Sequence, residues 1–140
     1  MKTKLSTLLL LITLSLSAFA HDGHNHGAGQ VQPTKGGTIL KADKFYLEVV
    51  GNRTDVKIYP LKKNDPKSAM LTPIPLNQVK ISATYALPRA KVTNIIALKQ
   101  EADHFAGKVS VKNTHRYEVV VTIETLGEKE KLTYQIEPQE

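Results

Sequence analysis

Apolar and polar residues alternate with a period of two along most of the chain from Phe45 onward. Phe45, Leu47 and Val49 alternate with Tyr46 and Glu48; Val56 and Ile58 alternate with Asp55 and Lys57 until Pro60. A strand places successive side chains on opposite faces, so each run predicts a strand with one dry and one wet face. Gly51-Asn52 between the two runs predicts an antiparallel hairpin. Lys62 to Pro75 holds three prolines and Asn64-Asp65, which predicts a long loop or a ragged edge strand. Val79, Ile81, Ala83 and Tyr85 form the next dry face, with Lys80, Ser82 and Thr84 opposite and Pro88 at its end. Val92 to Leu98 is denser in apolar residues, as expected of a strand buried on both sides or switching between sheets. Phe105, Gly107, Val109 and Val111 alternate with His104, Lys108, Ser110 and Lys112, and Asn113-Thr114 then turns the chain. Tyr117, Val119, Val121 and Ile123 face one way, with Arg116, Glu118, Thr122 and Glu124 on the other side. Gly127-Glu128 is the last turn, and Leu132, Tyr134 and Ile136 form the last strand.

No window beyond residue 20 carries an apolar stripe at helical spacing. The expected fold is therefore all-β: one antiparallel β-sandwich of immunoglobulin-like size, with seven or eight strands, spanning 36–140. Alternation supplies the one dry face per sheet that two packed sheets need.

The N-terminal stretch obeys a different pattern. Lys2 and Lys4 precede an apolar run from Leu5 to Leu16, and Ala18-Phe19-Ala20 fits the small-x-small pattern of signal peptidase. The run is short for a membrane span. Residues 1–20 are thus expected to be a signal peptide, with cleavage after Ala20 leaving 120 residues and no stable membrane anchor. The expected location is periplasmic or secreted. Residues 28–35 are rich in Gly, Gln, Pro and Thr and poor in apolar surface, so 21–35 is expected to be a flexible tail and linker.

Composition narrows the function classes. The chain has no cysteine, hence no disulfide, thiolate ligand or thiol nucleophile. Its net charge of +6 is scattered along the strands rather than blocked, which favours solvated strand faces over a nucleic-acid surface. Lys62, Lys63 and Lys67 come nearest to a cluster, without interleaved aromatics. Gly-x-Ser-x-Gly, His-Glu-x-x-His and glycine-rich phosphate loops are all missing from the sequence, so no enzyme is expected.

The chemistry that stands out lies directly after the expected cleavage site. His21, Asp22, Gly23, His24, Asn25 and His26 place three of the five histidines within six residues. Neutral imidazole is a good ligand for copper, zinc and nickel. Gly23 and Gly27 let the backbone wrap one ion, Asp22 adds a carboxylate, and cleavage after Ala20 would free an α-amine within chelate reach of the His21 ring. The bland alternative is a solvated polar tail. His104 and His115 are weaker candidates, His104 facing out at the start of one strand and His115 beginning another; a sandwich can bring strand ends together to complete a site. The metal-site candidates are therefore His21, Asp22, His24, His26, His104 and His115. Copper or zinc is the expected ion.

The tail His21-Asp22-Gly23-His24-Asn25-His26, then Gly36-Gly37-Thr38, Phe45-Tyr46-Leu47-Glu48-Val49-Val50, Val56-Lys57-Ile58-Tyr59 and Phe105-Ala106-Gly107-Lys108-Val109, resembles a group of small periplasmic His-rich β-sandwich proteins. That group is associated with bacterial heavy-metal and copper efflux and resistance systems. It places an acidic residue soon after the Tyr59-like position, where Pro60-Leu61 stands here, so no site near this hairpin is carried over. The resemblance implies periplasmic residence and a role near metal transport, with a periplasmic or membrane efflux component as partner. The expected function is an exported protein that buffers or hands over a divalent metal. The alternative is a non-catalytic interaction module of the cell envelope whose histidines are incidental.

Overall fold

The computed structural model describes residues 31–125 and 127–138. The expected signal peptide and the tail residues His21, Asp22, His24 and His26 lie outside the described residues. Among those described, ten strands form two antiparallel sheets packed face to face, the sandwich that the alternating pattern predicts. Three pieces of two or three residues raise the strand number above the seven or eight expected.

Sheet A runs β1 (Thr38–Lys41), β2 (Tyr46–Gly51), β3 (Asp55–Lys63), β8 (Phe105–Lys108) and β7 (Lys99–Gln100), with β4 (Leu71–Pro73) also paired to β3. Sheet B runs β10 (Glu128–Ile136), β9 (Tyr117–Thr125), β5 (Lys80–Ala86) and β6 (Asn94–Ile96). The hairpin expected around Gly51-Asn52 is β2–β3, in the register Gly51↔Val56 through Tyr46↔Leu61. β3 does not stop at Pro60. On its far side β8 pairs only with Asp55–Ile58 and β4 only with Leu61–Lys63, so the missing N–H of Pro60 falls where the partner strand changes.

The dry faces meet as expected. Leu47, Val49, Val56, Ile58 and Phe105 of sheet A pack in one core with Ala83, Val119, Val121 and Ile123 of sheet B. Tyr117 is also buried there; its hydroxyl donates to Asn52 O at 2.6 Å, and its ring meets Tyr85 edge-on at 6.2 Å. That hydroxyl ties sheet B to the β2–β3 turn, and burial pushes its pKa well above the usual tyrosine value.

One of the two alternatives for Val92 to Leu98 holds, and the expectation for His104 needs correction. Val92 to Leu98 is not a strand buried on both sides: Ile96 is in the core, but Val92 and Ile95 are largely exposed. The stretch switches between sheets, the second alternative, from β6 in sheet B to β7 in sheet A, and among the described residues nothing packs over its two outward residues. Nor does His104 face water, for reasons that belong to the outer face of sheet A.

Candidate functional site

An antiparallel register aligns one residue from each strand in a row across a sheet. In sheet A, Ile39 pairs with Glu48, Glu48 with Tyr59, and Ile58 with Phe105, which sets Tyr59 opposite His104. The Glu101 amide donates to His104 O at 2.9 Å, extending the row by one residue. Ile39, Glu48, Tyr59, His104 and Glu101 therefore cross the sheet on the face turned away from the core. Alternation assigns that face to water, yet Glu48 is 0% and His104 8% exposed, and Tyr59 is buried outside the core cluster.

The cover comes from the chain just before β1. Glu48 Oε1 accepts from the amides of Lys35 (2.6 Å) and Gly37 (3.1 Å), and Oε2 from the Thr34 amide (2.9 Å) and hydroxyl (3.2 Å). A buried carboxylate is tolerable only with such a full set of donors. Gly36 has φ +78°, left-handed backbone that suits glycine. At Gly37 a β-carbon would run into the Val49 carbonyl, so only glycine comes this close to β2. The Pro33-Thr34-Lys35-Gly36-Gly37 stretch thus closes over Glu48. The C-terminal end of the expected linker is fastened to the sheet.

Lys35 carries the strap further along the row. Its Nζ lies 5.3 Å above the Tyr59 ring and 3.2 Å from Asp103 Oδ2. Tyr59 stacks on His104 with centroids 4.7 Å apart and ring planes 27° apart. His104 is held between two carboxylates: Nδ1 lies 2.9 Å from Asp103 Oδ1, and Nε2 lies 3.1 Å from Glu101 Oε2. The second contact is off the hydrogen-bonding direction, which leaves the buried Nε2 without a hydrogen bond. The bond to His104, and then that to Lys35, holds the Asp103 carboxyl below the usual range. Stacking on Tyr59 and this carboxylate clamp explain why His104 is buried rather than facing out.

Glu48, Glu101 and Asp103 stand in or beside this row with Lys35, while Lys57 and Lys99 flank the next row on the same face, so the carboxylates are local to His104. His115 sits in different surroundings. It is exposed, two residues ahead of β9, and shares an open concavity with Arg53 and Lys112. Neighbouring cations oppose a metal ion at that ring. β8 and the segment after it separate the two histidines, and the sandwich does not bring them together. Among the described residues no three His, Asp or Glu side chains are arranged to hold a metal ion.

Sequence reasoning missed Glu48, Tyr59 and Glu101. One signal was present: Tyr46-Leu47-Glu48-Val49-Val50 sets a lone carboxylate inside an apolar run, shortly after Thr-Lys-Gly-Gly. No family model matches the chain, and no characterised protein or solved structure matches it either.

Proposed function

We propose that this is an exported metal-binding protein, which buffers copper, zinc or a related divalent cation or hands it to an efflux or resistance system. His21, Asp22, His24 and His26 are its primary ligands. The observation that carries the reading is the strap: Glu48 fixes Thr34, Lys35 and Gly37 to sheet A, so the histidine segment ends only eight residues before a point anchored on the domain. The anchorage lies beside His104, Asp103 and Glu101. The resemblance to periplasmic efflux-associated proteins supports the same reading.

In this account the tail supplies the imidazoles. On the outer face of sheet A, His104 or Glu101 is a further donor if the ion is delivered there. His115, among cations, takes no part. A titration with Zn(II) and Cu(II) tests the proposal. The parent chain binds one ion tightly; replacing His21, His24 and His26 together by Ala removes tight binding and leaves the melting temperature unchanged. His115→Ala binds like the parent. A triple variant that binds as well as the parent refutes the reading. The interaction-module alternative draws on a different feature, the opposite chemistry of one end of the sandwich.

A further inference from the structure

Topology gathers four segments at one end of the sandwich. Gly51↔Val56 places the 52–54 turn there, and the Val109 and Val111 amides donate to Thr54 O and Arg53 O, bringing in the segment after β8. Ala86↔Glu118 and Tyr117↔Ile136 add the 87–93 loop and the end of β10. These segments carry Arg53, Arg89, Lys91, Lys112, His115 and Arg116. All but Arg53, which is half-buried and donates to Thr114 O at 3.0 Å, are exposed. Among the described residues the carboxylates at this end are Glu118, Glu137 and Asp55, the last already paired with Lys108. Arg53, Lys112 and His115 line an open concavity of about 660 Å³, and His115 also lines a neighbouring one with Arg116 and Glu137.

The same end carries exposed apolar side chains. Val92 is 67% and Ile95 82% exposed, and Met70 is the other large apolar residue so exposed among those described. Val92 follows Lys91 in the loop, and Ile95 stands three residues on in edge strand β6. Arg89, at the tip, has φ +63°, left-handed backbone that disfavours a β-carbon.

We propose that this loop end docks on the surface of an anionic phospholipid bilayer, with Val92 and Ile95 entering the interfacial layer and the surrounding Arg and Lys side chains at headgroup level. The cations are spread over several loops instead of converging on one pocket, which suits a diffuse anionic plane better than a discrete acidic peptide. Isolated apolar side chains among cations match the layered chemistry of a bilayer surface. The inference is independent of the tail's metal chemistry: the carboxylate-rich row on sheet A and this basic end are separate surfaces.

Vesicle co-sedimentation tests it. The chain as isolated is mixed with vesicles of phosphatidylcholine alone or of phosphatidylcholine with an equal part of phosphatidylglycerol. Every variant keeps the same N-terminus, so any contribution of the apolar run Leu5 to Leu16 is common to all. Binding is expected only to the phosphatidylglycerol vesicles and weakens as salt is added. Each basic residue near an anionic surface contributes about fivefold in partitioning, so an Arg89→Gln, Lys91→Gln variant binds roughly 25-fold more weakly. Val92→Ser with Ile95→Ser also weakens binding, with an unchanged melting temperature because both residues are exposed. Equal binding to both vesicle types, or no change in either variant, overturns the proposal. Binding to soluble poly-glutamate as tightly as to vesicles, without dependence on Val92 and Ile95, assigns the surface to an acidic protein partner instead and also overturns it.

Discussion

Replacing Glu48 by Gln isolates the fastening of the strap, because the two side chains have nearly the same shape and no cavity forms. In the parent, Oε1 serves the Lys35 and Gly37 amides, and Oε2 serves the Thr34 amide and hydroxyl. Gln keeps one oxygen and presents an NH₂ group in place of the other. With the oxygen toward Lys35 and Gly37, the NH₂ faces the Thr34 amide, donor against donor, while the Thr34 hydroxyl can turn and accept. The Thr34 amide bond is lost, about 1.5 kcal/mol for a charge-assisted bond between partners that can regain water. The two remaining bonds become neutral and weaken by about 1 kcal/mol each. Burying an amide rather than a carboxylate returns about 1–2 kcal/mol, so the net loss is about 2 kcal/mol. Urea denaturation reads it as a lower midpoint with unchanged slope. Amide exchange at Thr34, Lys35 and Gly37 should accelerate about thirtyfold, while exchange in β9 changes only through global stability. Unchanged exchange at these three amides, with stability within about 0.5 kcal/mol of the parent, would show that the strap does not depend on this carboxylate.

Further predictions concern the core, the tie between the sheets and pH. Val121→Asp puts an unpaired charge at a position with no exposure and should cost several kcal/mol or prevent folding, whereas Val120→Asp on the outer side of β9 is mild; equal stability of the two variants by thermal denaturation would mean the face is misassigned. Tyr117→Phe leaves Asn52 O without its buried donor and should lower stability by about 1–3 kcal/mol near neutral pH, measured in urea. The folded-state pKa of Tyr117 is raised, so its contribution is complete below the unfolded value of about 10 and is lost as pH climbs beyond it; pH titration of the parent's stability checks this loss against the Phe variant. The Asp103 carboxyl is depressed in the folded state, so its contribution is present above about pH 4 and disappears as pH falls through the folded value; the gap between parent and Asp103→Asn should close there in acid denaturation. Metal affinity of the tail should fall as pH drops through about 6.5, since protons compete for imidazole; a competition titration showing no pH dependence there would exclude histidine ligands.

Core positions were legible because the period of a strand is two and burial on one side leaves a plain record. Leu47, Val49, Ile58, Val119, Val121 and Ile123 all lie on the faces that alternation assigns them. The outer face of sheet A was not legible. Whether Glu48 meets water or donors depends on where Thr34 to Gly37 fall in space, and an exposed strand carboxylate looks the same in sequence. His104 was misread for the same reason: its cover is Tyr59, distant in the chain and opposite only once β3 pairs with β8. In Val92 to Leu98 the switch between sheets was one of the two alternatives, but density of apolar residues does not say which of them the edge of a sheet leaves uncovered. The basic end escaped notice because Arg53, Arg89, Lys112 and Arg116 are dispersed in sequence and only the topology collects them. The histidine segment was the reverse case: its chemistry is local, so adjacency alone exposes it.

The central claim is that the histidines ahead of the strap take up the metal. Five histidine rings give five resolvable sets of ¹⁵N resonances, and Zn(II) is diamagnetic, so a titration of the ¹⁵N-labelled chain can be followed ring by ring. The account predicts saturable shifts at His21, His24 and His26 with one equivalent of zinc, smaller changes at His104 and the Lys35 amide, and none at His115. Unmoved tail rings, or a response confined to His115, would contradict it.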